Sequence, residues 1–377
     1  MSATPSAAAP AASGHARDPR LDTAKGILIA LVVFGHLLEA VDHWNSGAAR
    51  FPLTAIYLFH MPAFAFMAGV TASPVRTGRR IATMLVLLAV FQVIFFLVLG
   101  QVESGKSFSW DQPFWVLWFL LAMVWWQALA PPIARAPRTA FAVSLAVALG
   151  CGAVPWVGNA LALSRTLVFL PFFVAGMLWG GVLVERAARV PFALRALMLA
   201  ACAATVSAAY HLGIGHGWLY ASNGFETLGV GIGEGVLTRA ALLCAAALGT
   251  CTLLSFLPAD PAGRLTIMGR RSLGIYLLHG PLLLAVTPAL AGVVAENGAV
   301  AAWVLCLVAG VGLLTMLSTP GPDRWLRTGA GAVVEAGAAL PKRVAEHERE
   351  HRHESGHESG HESGHGHGHG HGQAHER

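Results

Sequence analysis

Ten apolar stretches of about twenty residues each, separated by short polar connections, constrain this chain more than any other feature. They run over 24–42, 52–73, 81–100, 113–130, 139–157, 165–184, 194–213, 236–257, 273–293 and 299–318. A helix of that length crosses the roughly 30 Å hydrocarbon core of a bilayer. In lipid a helix also satisfies its own backbone polar groups. Composition agrees: 55% of the 377 residues are hydrophobic, 12% are charged and the mean hydropathy is +0.60. A soluble domain carries roughly 25% charged residues. The sequence therefore predicts an all-α, polytopic transmembrane helix bundle of about ten spans, in the cell membrane.

The basic residues test this count. Arg17, Arg20, Arg76, Arg79, Arg80, Arg135, Arg138, Arg186, Arg189, Arg264, Arg270, Arg271, Arg324 and Arg327 fall in one alternating set of connections. The other set holds Arg50, Lys106 and the segment-edge residues Arg165 and Arg239. By the positive-inside rule both termini are expected to be cytoplasmic. The same distribution accounts for a pI of 9.2 without a nucleic-acid partner. All five cysteines lie in apolar segments and read as small core residues.

The expected organisation is a disordered cytoplasmic lead over 1–19, a membrane domain over 20–320, a juxtamembrane segment over 321–340 and a disordered tail over 341–377. The lead has no apolar h-region. The tail holds ten of the 17 histidines, in His-Glu-Ser-Gly and His-Gly repeats. Such repeats bind transition metals weakly, or are neutral expansions. The longest outer connection, about 214–235, reads either as a substrate-contacting lid or as a flexible link.

The first apolar helix carries unusual polar residues: Asp22, Lys25, His36 and Glu39. At about 100° per residue all four fall on one face, with Lys25 and His36 about 16 Å apart along the axis. Ionisable groups at membrane depth are costly and usually face a cavity or a partner. This face is expected to line a reaction channel; the competing reading is interfacial anchoring plus a packing histidine. His60 in the second span is expected at a depth similar to His36, and His279 lies about eight residues inside the ninth. Imidazole suits proton transfer near neutral pH, so His36 can deprotonate a hydroxyl while Glu39, one turn along, orients the ring. Within the apolar segments no GxSxG, HExxH, P-loop or Rossmann fingerprint is present. Nothing in the membrane region requires a metal.

In order, DTAKGILIALVVFGH, FHMPAFAFMAG, LWFLLAMVWW, LSRTLVFLPFFVAG and GRRSLGIYLLH resemble the acyltransferase-3 family of membrane acyltransferases, in particular its fucose 4-O-acetylase-like branch. The resemblance covers about residues 20–318. It implies a ten-helix bundle that takes cytoplasmic acetyl-CoA and passes the acyl group to a hydroxyl acceptor, commonly a saccharide on the outer side. It also implies that His36 is the essential histidine, as general base or transient acyl carrier, with Lys25 as its basic partner. Arg79 and Arg80 match the basic residues after the second span and are placed to meet CoA phosphates. His60, Arg165 and His279 match recurrent positions, with Arg165 and His279 grouped on the donor side. Lys25 stands where many members have Arg, and Ala68 where many have Ser.

The main rival is a transporter or exporter with a buried His/Glu/Lys proton relay. No internal repeat with matching broken helices supports it. A metal-handling membrane protein would need ligand clusters inside the spans, and these spans lack them.

Overall fold

The computed structural model describes residues 18–42, 44, 46–75, 77–102, 108–258, 263–326, 328–333 and 335. The lead up to residue 17, Arg76, Lys106 and the histidine-rich tail with its metal-binding reading lie outside them. The chain divides into two units, Met1–Leu326 and Arg327–Arg377. In the second, the described residues are helical.

The helices of the first unit are α1 (Pro19–Asp42), α2 (Gly47–Val70), α3 (Thr77–Val102), α4 (Trp118–Arg135), α5 (Pro137–Gly150), α6 (Leu163–Ala188), α7 (Phe192–His211), α8 (His216–Leu219), α9 (Ile232–Ser255), α10 (Arg264–Arg270) and α11 (Ser272–Leu317). Among the described residues there is no strand. Among the described residues, eight helices are long and apolar enough to cross a bilayer, or nine if one bent pair is a single span. This is a multi-pass membrane protein.

The ten apolar segments do not map one to one onto these helices. The segment at 139–157 is the clear exception. Gly150, Gly152 and Pro155 interrupt it, and α5 stops after 14 residues. At 1.5 Å per residue that is about 21 Å, short of the hydrocarbon thickness. The ninth and tenth segments run together as α11, broken only at Gly298, whose φ is +74°.

Helix contacts depend on close backbone approach. A Cβ at Gly69 of α2 would overlap the Phe173 carbonyl of α6, and a Cβ at Gly176 of α6 would overlap the Phe66 carbonyl of α2. α1 and α10 cross in the same reciprocal way, Gly26 against Leu265 and Gly269 against Asp22. Small residues permit such packing where lipid provides little hydrophobic drive between helices. The second crossing carries a hydrogen bond between Thr23 and Thr266 (2.8 Å) and an ion pair between Arg270 Nε and Asp22 (3.3 Å).

Asp22 is thus buried against α10, and does not share the channel-facing surface expected for it. The cysteines also divide. Cys151 and Cys306 are buried, as expected, whereas Cys244 and Cys251 are on the outside of the bundle. Helical register, not residue type, decides which small side chains face inward.

Two local devices position the site. At the α1–α2 turn, the Asp42 carboxylate accepts the Ser46 N–H (2.8 Å) and Oγ–H (2.5 Å), and Ser46 Oγ caps α2 by accepting the Ala49 N–H (3.1 Å). This short turn holds the ends of α1 and α2 together. In α3, buried Gln92 donates to the Ser109 (2.7 Å) and Gln112 (3.0 Å) carbonyls and accepts the Phe114 N–H (3.0 Å). One amide therefore satisfies three backbone groups of the α3–α4 connection and delivers Trp115 to the interior.

Candidate active site

A cavity of about 570 Å³ runs beside α1 and is lined by Lys25, His36 and Glu39. The three therefore share a face that opens inward, as their spacing predicts. Arg79 and Arg80 of α3 line the same cavity, as do His60 of α2 and Arg165 of α6. Arg80 Nη1 donates to the Thr71 carbonyl (2.9 Å), which tethers it at the end of α2. Lys25 and Glu39 are about 21 Å apart along α1, so the cavity extends from a cationic end, past His36, to a carboxylate end.

His279 is fully buried and meets His36 directly, Nε2 to Nδ1, at 3.1 Å. The rings stack at 5.3 Å with an interplanar angle of 15°. The surroundings set the tautomers. His279 Nδ1 lies 3.0 Å from the Ile275 carbonyl and 2.7 Å from the Tyr276 carbonyl. A carbonyl only accepts, so Nδ1 carries the proton and Nε2 of the neutral ring is a lone pair. His36 Nδ1–H then donates to His279 Nε2, which leaves the His36 Nε2 lone pair for chemistry. His60 is fixed in the same way, its Nδ1–H donating to the Ile56 carbonyl (2.7 Å).

Glu39 has a different partner from the one expected. Tyr57 donates to its Oε2 and Tyr220 to its Oε1, and Trp44 Nε1 donates to the Tyr220 hydroxyl (2.9 Å). Its carboxylate is thus held by phenols, and the residue that orients His36 is His279. The one-turn spacing placed Glu39 near His36, but both carboxylate oxygens turn toward α2 and the outer connection. Burial first, and the Glu39 carboxylate second, push the Tyr220 phenol well above its ordinary range, so it stays a donor.

The outer connection contributes more than a link. Phe225 donates its N–H to the Gly152 carbonyl (2.7 Å), and the buried Arg239 guanidinium lies over its ring at 4.6 Å. These contacts anchor the segment that carries Tyr220 into the cavity.

Several site residues escape a reading of spacing alone. The chain has four tyrosines, and three of them, Tyr57, Tyr220 and Tyr276, line this cavity. Their scarcity is a usable signal, because a buried phenol needs a partner where phenylalanine does not. Trp115, whose ring lies 4.8 Å from His36, carried no such signal.

A family model described as an acyltransferase domain matches residues 18–319, well over half of the chain. This chain belongs to the acyltransferase-3 family. The matched region of this acyltransferase-3 protein takes in every residue that lines the cavity. Two curated relatives are both called nodulation protein NolL. The one from Sinorhizobium fredii is 47% identical over 66 residues, 16% of this chain and 18% of that protein. The one from Mesorhizobium japonicum is 42% identical over 59 residues, 15% of this chain and 16% of that protein. The matches thus span less than a fifth of either relative. No solved structure matches.

Proposed function

We propose that this protein is a membrane O-acyltransferase of the cell membrane. It takes acetyl from acetyl-CoA on the cytoplasmic side and transfers it to a hydroxyl of an envelope or extracellular saccharide. The observation that carries this reading is His36 in one cavity, oriented from behind by the buried His279, with cations at one end and a carboxylate among aromatic rings at the other.

Each part of the cavity fits a part of the reaction. Lys25, Arg79 and Arg80 suit the phosphates of the donor. Glu39 suits a sugar hydroxyl as an acceptor of hydrogen bonds, and Tyr57 and Tyr220 supply faces for the sugar ring. His36 lies between, within one turn of Glu39 on α1.

The acceptor O–H gives its proton to His36 Nε2 as its oxygen attacks the thioester carbonyl carbon. The carbonyl π pair moves to oxygen. When it returns, the C–S bond breaks, and the proton on His36 passes to the CoA sulfur. His279 accepts from the opposite edge of the ring and keeps Nε2 facing the reactants. His60, whose free Nε2 points away from its Ile56 bond, would accept from a bound hydroxyl. Because donor and acceptor ends open on one cavity, direct transfer with His36 as general base needs no acyl-histidine carrier.

The test is transfer from radiolabelled acetyl-CoA to crude envelope glycan by the lipid-reconstituted protein, wild type and His36→Ala. Labelled glycan from wild type alone is expected. Absence of turnover by wild type across several acceptors would favour the transporter reading instead.

A further inference from the structure

We infer that Arg165 is the oxyanion-binding residue of this reaction, donating to the acyl carbonyl oxygen as it becomes negative. This rests on the acyl-transfer reading of the same cavity and assigns it a further group.

Arg165 enters from the first turn of α6 and lines the cavity with His36. Its Nε is buried and has no hydrogen-bond partner, and among the described residues its guanidinium makes neither a hydrogen bond nor an ion pair. A cation inside an apolar helix bundle is costly and persists only where something offsets it. Glu39, which lines the same cavity, has its two oxygens turned to Tyr57 and Tyr220.

Arg165 is nevertheless held in place. Its guanidinium stacks on Trp118 at 5.0 Å and on Tyr220 at 6.0 Å. Stacking fixes the plane and leaves the N–H edge for a ligand. The Tyr220 ring lies 5.4 Å from Tyr57, which lies 6.3 Å from His36, so a row of rings runs from the guanidinium to the base. A held donor with no acceptor among the described residues, in one cavity with a base, has the form of preorganised electrostatic stabilisation.

During acyl transfer, the pair that moves onto the carbonyl oxygen creates a negative charge there. Arg165 N–H groups would hold that charge until the pair returns and the CoA sulfur leaves. No proton moves to or from Arg165.

The experiment compares wild type, Arg165→Met and Arg165→Lys in proteoliposomes with crude envelope glycan. Two donors are used, acetyl-CoA and its dithioester analogue with C=S in place of C=O. Sulfur is a poor hydrogen-bond acceptor, so an oxyanion donor makes wild type strongly prefer the oxygen donor. Arg165→Met should lower kcat by about 10²–10³-fold, with KM for acetyl-CoA changed little, and should lose most of that preference. Arg165→Lys should recover part of both. Unchanged acetyl-CoA binding by Arg165→Met serves as the check on folding. An active variant with wild-type preference for oxygen would overturn the proposal, as would a change confined to KM for the glycan, which would make Arg165 an acceptor-binding residue. Lack of turnover by wild type itself would instead remove the acyl-transfer reading on which the proposal rests.

Discussion

His279 accepts a hydrogen bond from His36 across 243 positions of sequence, and its own Nδ1 proton is held by the carbonyls of Ile275 and Tyr276. Two backbone carbonyls on α11 therefore determine which nitrogen of a histidine on α1 is free to react. Replacing His279 by Leu should lower kcat by about 10²-fold or more, the scale of a disturbed general base. Replacing it by Gln, which can still accept from Nδ1–H, should retain much more activity. Equal loss in both variants, measured by steady-state transfer in proteoliposomes, would mean that the ring contributes packing and not tautomer control.

The carboxylate end should govern the acceptor. Glu39→Gln, Tyr57→Phe and Tyr220→Phe are expected to raise KM for the glycan by about tenfold, on the scale of one hydrogen bond to a charged group. KM for acetyl-CoA should stay the same. The double variant Glu39→Gln/Tyr57→Phe should be less than additive, because one change weakens and the other removes the same charge-assisted bond. Additive effects would show that the two residues act separately.

The cationic end should govern the donor. Arg79→Ala and Arg80→Ala are each expected to raise KM for acetyl-CoA by about fivefold, as partly exposed charges do. The wild-type KM should rise with ionic strength, and rise less steeply in the double variant. A salt response unchanged by both substitutions would reassign these arginines to topology alone.

The bundle should fail at its close crossings before it fails elsewhere. Gly69→Leu and Gly269→Leu place side chains where the Phe173 and Asp22 carbonyls already sit. Both should reduce the yield of monodisperse protein in detergent. Gly181→Leu, where no atom lies within 4 Å of a Cβ, should not. Size-exclusion profiles of the three variants decide this.

The trace of the site was legible in the chain, but its partners were not. Lys25, His36 and Glu39 repeat at helical spacing, so any α-helix over 20–39 brings them to one face. Asp22 shares that spacing and yet turns to Arg270, because Gly269 lets α10 press against α1 at that turn. Likewise, one turn of helix made Glu39 the obvious orienter of His36, and the phenols of Tyr57 and Tyr220 took it instead.

By itself, the sequence determined an all-α membrane bundle, the first helix and its polar face, and the family to which the chain belongs. These follow from local rules: segment length against bilayer thickness, period against helix pitch, and ordered motifs. Only the tertiary structure decided that His279 meets His36, that Glu39 turns to Tyr57 and Tyr220, and that Arg165 has no hydrogen-bond or ion-pair partner among the described residues. Each of these depends on how elements far apart in sequence pack together, which no single segment encodes.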